Sequence, residues 1–113
     1  MAALVYSQGE VLLAHLVFSS GQGEKRRPVL VVQDFGDADL LVVPVTGHPA
    51  RGATDVALAQ WKEAGLKLSS TVRVEKLATI EKTCVIRKLG ALTPAELITV
   101  REVLGKVFKQ ILE

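Results

Sequence analysis

Pro28 divides the most asymmetric stretch of the chain. Lys25, Arg26 and Arg27 stand before it, and Val29, Leu30, Val31 and Val32 follow it. Four consecutive aliphatics, mostly β-branched, are too short a run for a helix and read as a buried strand. Proline is tolerated at the first position of a strand, where its missing N–H does least harm. The stretch therefore predicts a strand over Arg27–Gln33, with Arg27 at its mouth. The fold would hold a guanidinium at a fixed address, beside a polar loop over Ser19–Arg26.

The segments around it fall into place by the same reasoning. Glu10–Phe18 carries Val11, Leu13, His15 and Val17 on one face and Leu12, Ala14, Leu16 and Phe18 on the other. Apolar residues on both faces predict a strand covered on both sides. Asp34–Asp37 reads as a turn into a strand over Asp39–Thr46, in which Pro44 implies an edge or a bulge. Gly47–Gly52 is a second loop. Asp55–Leu58 suggests a short strand, and Gln60–Gly65 one helical turn stopped by Gly65. Ser70–Lys76 alternates, which puts Thr71, Arg73 and Glu75 on one face and Val72 and Val74 on the other. One more strand is expected near Cys84–Leu89.

Thr93 and Glu96 have the spacing of a capping box, with Pro94 at the first helical position. Behind them Leu97, Val100, Leu104, Val107, Phe108 and Ile111 recur at helical spacing. The expected fold is a single domain over residues 1–113, mainly β with a C-terminal helix. Its strands would make a small, curled antiparallel sheet or barrel on which the helix packs.

Composition narrows the function classes. The chain has 113 residues, a net charge of +2 and a single cysteine, so no internal disulfide can form. With no recognisable signal segment, the expectation is a reducing cytoplasm. No apolar run is long enough to span a bilayer. No Cys–His or His–His spacing suggests a metal, and no phosphate-loop or dinucleotide motif suggests a cofactor. So small a net charge does not by itself announce a nucleic-acid partner; a local cluster would have to.

Two groupings could carry chemistry. If the strands over Arg27–Gln33 and Asp39–Thr46 form a hairpin, their outer ends bring Arg27 beside Thr46. A guanidinium fork with a hydroxyl donor makes a phosphate cradle, although structural ion pairs also use such positions. Arg73 and Glu75, two apart on a strand, could combine a charge stabiliser with a general base; a solvated ion pair is the plain alternative. His48 follows Thr46 closely enough to share that site. Lys25 and Arg26 are suited to contacts with an RNA backbone. Trp61 could stack on a base or cap the core, His15 reads as a partly covered histidine, and Cys84 as a small core residue.

These pieces, in order, resemble the PemK/MazF family of bacterial toxin–antitoxin toxins. The matching segments are Gly9-Glu10-Val11, Lys25-Arg26-Arg27-Pro28-Val29-Leu30-Val31-Val32, Val43-Pro44-Val45-Thr46, Trp61-Lys62-Glu63-Ala64-Gly65-Leu66, Ser70-Thr71-Val72-Arg73-Val74-Glu75-Lys76-Leu77 and Arg87-Lys88-Leu89-Gly90. The resemblance implies an SH3-like barrel with a C-terminal helix, working as a homodimer. It implies a metal-independent endoribonuclease that cuts single-stranded RNA by 2′-hydroxyl attack, leaving a cyclic phosphate, and a cognate antitoxin that covers the RNA groove. The family's catalytic positions fall on Arg27, Thr46, Arg73 and Glu75; Lys25, Arg26 and His48, picked out by their own places in the chain, are the expected RNA contacts. Two positions depart from the family. Glu24 lies only three residues before Arg27, where relatives carry a longer Glu-Gln-rich loop. Gly47 stands where a serine often follows the threonine. The same fold also serves gyrase-poisoning toxins that cut nothing, and a catalytically inactive module binding RNA or antitoxin is a further alternative.

Overall fold

The computed structural model describes residues 5–17 and 24–113. Seven strands precede one helix: β1 (Glu10–Val17), β2 (Glu24–Gln33), β3 (Asp39–Thr46), β4 (Asp55–Leu58), β5 (Ser70–Arg73), β6 (Ala78–Glu81), β7 (Val85–Ala91) and α1 (Pro94–Leu112). The sheet is antiparallel in every pairing, in the order β4-β5-β3-β2-β1-β7, with β6 sharing with β5 the edge of β3 that faces away from β2. It curls but does not close, because β4 and β7 end the order. The expected barrel is thus an open one.

The three central strands are buried on both faces. Val11, Leu30, Val43 and Val45 join the cluster that includes Val100, Val103, Leu104 and Val107 of α1. On the opposite face Leu12, Ala14, Val29, Val31, Leu40 and Val42 form a second cluster. Each such side chain contributes roughly 1.5–3 kcal/mol by leaving water. This two-sided burial explains why β1 and β2 read as apolar runs rather than as alternating ones.

β2 begins earlier than the sequence implies. Leu16 pairs with Lys25 and His15 with Arg26, so the hairpin with β1 draws two cations out of the expected loop and into the strand. Pro28 consequently sits mid-strand, opposite Leu13. Pairing with β3 starts only at Val29, so β2 is an edge on that side at Pro28 and a proline is tolerated. Phe18 and the rest of the expected loop before Glu24 lie outside the described residues.

Pro44 marks a handover. β6 pairs with Asp39–Val42 and β5 with Val45–Thr46, so the edge between them has no strand partner at Pro44. The expected helical turn at Gln60–Gly65 is a series of turns instead. Gly65 ends it with φ +81°. Trp61 packs partly buried against the core, its ring 5.4 Å from Lys62 Nζ. Between β6 and β7, Lys82–Cys84 forms a 3-10 turn. Cys84, expected within a strand, lies in this turn and is half-buried.

The helix starts where its cap predicts. Thr93 Oγ1 accepts the Glu96 N–H at 3.4 Å. The capping box is not reciprocal, however. The Glu96 carboxylate turns outward and accepts the Ala59 N–H at 2.8 Å and the Gln60 N–H at 3.3 Å. It thereby pins the 59–65 turns to the start of α1. Phe108 and Ile111, expected on the core face, are exposed on the last turns of the helix.

Candidate active site

The β2–β3 hairpin creates a cleft at its open end. Its register pairs Val29 with Pro44 and Leu30 with Val43, so continuing outward sets Arg27 level with Thr46. Both line a cavity of about 880 Å³. β5 forms the next wall, because Thr46 pairs with Thr71, and Arg73 at the end of β5 also faces the cavity. Lys25 and His48 line it as well. Lys25 and Arg27 are two apart in β2 and share a face; Arg26 is exposed and lies outside the lining.

Charge is the cleft's plainest property. Lys25, Arg27, Lys67, Arg73, Lys76 and Arg87 all contribute to its wall, and among the described residues no aspartate or glutamate does. Six cations on a wall whose described lining holds no carboxylate favour a polyanion. The floor between them is apolar, built from Leu13, Leu16, Pro28, Pro44, Leu66 and Leu89. A phosphodiester chain with planar bases would suit that combination.

Thr46 is held in a useful state. Its Oγ1 accepts the His48 N–H at 3.2 Å, which engages a lone pair and leaves its O–H to donate outward. The contact also fixes where the 47–54 loop leaves β3. A Cβ at Gly47 would meet Leu68 Cδ1 at 2.8 Å, the tip of an exposed side chain that can move aside.

Arg73 and Glu75 do not share a strand face. β5 stops at Arg73 because its partner β4 is only four residues long. Glu75 sits in the turn that follows, exposed and outside the lining, although its neighbour Lys76 lines the cleft. The carboxylate beside Arg73 belongs to Asp55, directly opposite it across the β4–β5 ladder. Lys67, Lys76 and Arg87 were not singled out in the sequence. They come from the turn before β5, the turn after it, and β7, and no local pattern unites them.

The described residues contain no group of three or more histidine, cysteine, aspartate or glutamate side chains that could hold a metal. No helix among them is long and apolar enough to cross a membrane.

Comparison with known proteins adds the family. Residues 7–108 match the PemK-like, MazF-like toxin of type II toxin-antitoxin system. No curated protein matches the sequence. Among solved structures, an endoribonuclease in complex with its cognate antitoxin from a Mycobacterial species superposes with TM-score 0.76 at 23% identity, covering 93% of this chain and 96% of that one. Mycobacterium tuberculosis toxin MazF-mt6 gives 0.73 at 24% identity, covering 88% and 96%. A MazE-MazF structure from Deinococcus radiodurans gives 0.77 at 19% identity, covering 95% and 98%. At these identities the likeness is one of fold.

Proposed function

The chain belongs to the PemK-like, MazF-like toxin family of type II toxin–antitoxin systems, and we propose that it is a metal-independent endoribonuclease acting on single-stranded RNA. The observation that carries this reading is the six-cation cleft at the open end of the β2–β3 hairpin, lined by no carboxylate among the described residues. It binds a phosphodiester at the place where Arg27 and Thr46 meet.

The mechanism follows from the groups present. The RNA 2′-hydroxyl attacks the adjacent phosphorus, the 5′-oxygen departs, and a cyclic phosphate remains. Arg27 and Thr46 hold the non-bridging oxygens and stabilise the charge that builds on them. Arg27 is not the base, since a guanidinium does not give up its proton in a protein. Arg73 donates a hydrogen bond to the leaving 5′-oxygen, which takes its proton from water. Two side chains can take the 2′-hydroxyl proton. Glu75 has the basic carboxylate but stands at the rim, whereas His48 lines the cleft. Lys25 holds the flanking backbone, with Arg26 on the adjoining surface. A cognate antitoxin, of the kind present in the solved endoribonuclease–antitoxin complex, is proposed to cover the cleft, and the working unit is proposed to be a homodimer.

The test is cleavage of a single-stranded RNA in the presence of chelator. Arg27→Ala and Thr46→Val are expected to lose about a hundredfold or more of the wild-type rate, the scale of removing a donor to the developing charge. Wild-type rates for both would sink the assignment. Glu75→Gln and His48→Gln separate the bases. The true one costs about a hundredfold or more, and the other leaves the rate near wild type. Growth arrest by a wild-type chain that leaves all RNA intact would instead favour a toxin that acts by binding a protein.

A further inference from the structure

Asp55 turns its carboxylate toward Arg73 of the cleft wall. Its side chain is only 4% exposed. One oxygen, Oδ2, accepts the Arg51 N–H at 2.8 Å and so closes the loop that follows Thr46. The other, Oδ1, faces Arg73 Nε at 3.7 Å. That separation is beyond hydrogen-bond range. Oδ1 and Nε are both buried, and neither has a hydrogen-bond partner.

Two buried, oppositely charged groups that face each other without bonding make an uneconomical arrangement. A buried polar atom without a partner costs on the order of 1–3 kcal/mol. Closing by less than 1 Å would satisfy both atoms at once. The register supplies the rigidity for such a movement, since Asp55 and Arg73 are direct partners across β4 and β5. Arg73 is the mobile member: its side chain is 27% exposed and reaches the cleft, whereas Asp55 is held by its second oxygen.

We propose that Asp55 is the positioning residue for Arg73. Its carboxylate takes the Nε–H of the guanidinium and leaves the terminal N–H groups for a phosphate in the cleft. The contact is open in the free protein and shortens to a hydrogen bond when an anion engages Arg73, as catalytic hydrogen bonds commonly do on ligand binding. Asp55 touches no substrate. It sets the plane of the guanidinium fork, on which bidentate phosphate recognition depends. Through Arg51 N–H the same carboxylate also ties the loop bearing His48 to β4. The proposal rests on the reading of Arg73 as a phosphate-binding group.

The test uses the full chain and a 2′-deoxy oligonucleotide, which binds but has no attacking hydroxyl. The Arg73 Nε–H is followed by NMR in the wild type and in Asp55→Asn. Asparagine keeps an oxygen for the Arg51 N–H, so the loop stays closed while the charge is lost; melting temperatures check this. The wild-type Nε–H is expected to slow its exchange with water when the oligonucleotide saturates, and the variant is expected not to. Indistinguishable exchange in the two proteins would overturn the proposal.

Cleavage of RNA gives an independent reading. Asp55→Asn is expected to lower kcat/KM by about tenfold, the low end of what losing a positioning partner costs. Asp55→Glu should recover part of the loss. The Asp55→Asn effect should vanish in an Arg73→Gln background, and simple additivity would count against the coupling. If Arg73→Gln alone cleaves at the wild-type rate, the catalytic role of Arg73 falls, and the Nε–H exchange still decides whether Asp55 positions it.

Discussion

Asp34 joins three separate parts of the chain with one carboxylate. Oδ2 accepts the Tyr6 N–H at 2.9 Å, Oδ1 accepts the Gly36 N–H at 2.8 Å, and Lys82 Nζ lies 3.0 Å from Oδ1. The Tyr6 N–H, then that of Gly36, then the Lys82 ammonium hold this carboxyl below the usual aspartate range, against the opposing effect of burial. The sign of the consequence is fixed. A carboxyl whose folded pKa is depressed stabilises the protein above its unfolded pKa, about 3.9 for aspartate. That stability drains away as the pH falls through the folded value. Urea unfolding of the wild type should therefore show a loss of stability below about pH 4 that is absent in Asp34→Asn. The variant should be the less stable at pH 7. Equal pH profiles for the two proteins would remove Asp34 from this role. In the sequence Asp34 looks like a turn residue and no more, because its partner Tyr6 is 28 residues away. Position in space, rather than residue type, makes it the tie between the lead-in, the β2–β3 turn and the 3-10 turn.

Between elements, the 59–65 turns approach β7 closely. Gly65 has φ +81°, and a Cβ on it would lie 1.9 Å from the Leu89 carbonyl oxygen. Gly90 answers from β7, where a Cβ would meet the Ala64 carbonyl oxygen at 2.5 Å. Two glycines facing each other let two backbones touch, and that contact fixes Leu66 and Lys67 along the cleft wall. Gly65→Ala should destabilise the fold by about 2 kcal/mol or more, from the left-handed backbone and the clash together. Thermal melting checks it, and an unchanged melting temperature would show that the contact is dispensable. Gly36→Ala is the control. It shares a positive φ, +89°, but nothing lies within 4 Å of its Cβ, so it should cost less.

The legible and illegible parts of the fold divide at this same scale. The β2–β3 hairpin could be read because each strand is longer than its turn, and its outer ends then specify Arg27 beside Thr46. The β4–β5 hairpin obeys the same geometry: an aspartate opens β4, an arginine closes β5, and antiparallel pairing makes them partners. It escaped notice because the alternation of Ser70–Lys76 runs two residues past Arg73 and points to Glu75. Side-chain alternation continues as long as the residues alternate, whereas a strand lasts only as long as its partner does. The end of α1 shows a related effect: Phe108 and Ile111 keep the helical period yet stay exposed.

At the scale of the whole molecule, the distribution of charge matters more than its sum. A net charge of +2 describes a nearly balanced chain, yet the cleft gathers six cations and, among the described residues, no acid. β2, β5, β7 and the turns flanking β5 each bring at least one of them. The sequence hides this clustering because Lys67, Lys76 and Arg87 are separated by residues that face elsewhere. A cleft of this kind should bind single strands with a steep dependence on salt. Each phosphate neutralised contributes about −0.7 to the slope of log K against log salt. Three to six such contacts give a slope between roughly −2 and −4 for a 2′-deoxy oligonucleotide. Arg87 can be removed without touching Arg27, Thr46 or Arg73, so Arg87→Ala should weaken binding and flatten the slope by about 0.7. Arg101→Ala, on the exposed face of α1 and outside the cleft, should leave it unchanged. Fluorescence anisotropy over a salt series measures both. Parallel lines for wild type and Arg87→Ala would mean that the strand does not follow the β7 wall, and would confine its path to the rim formed by β2, β3 and β5.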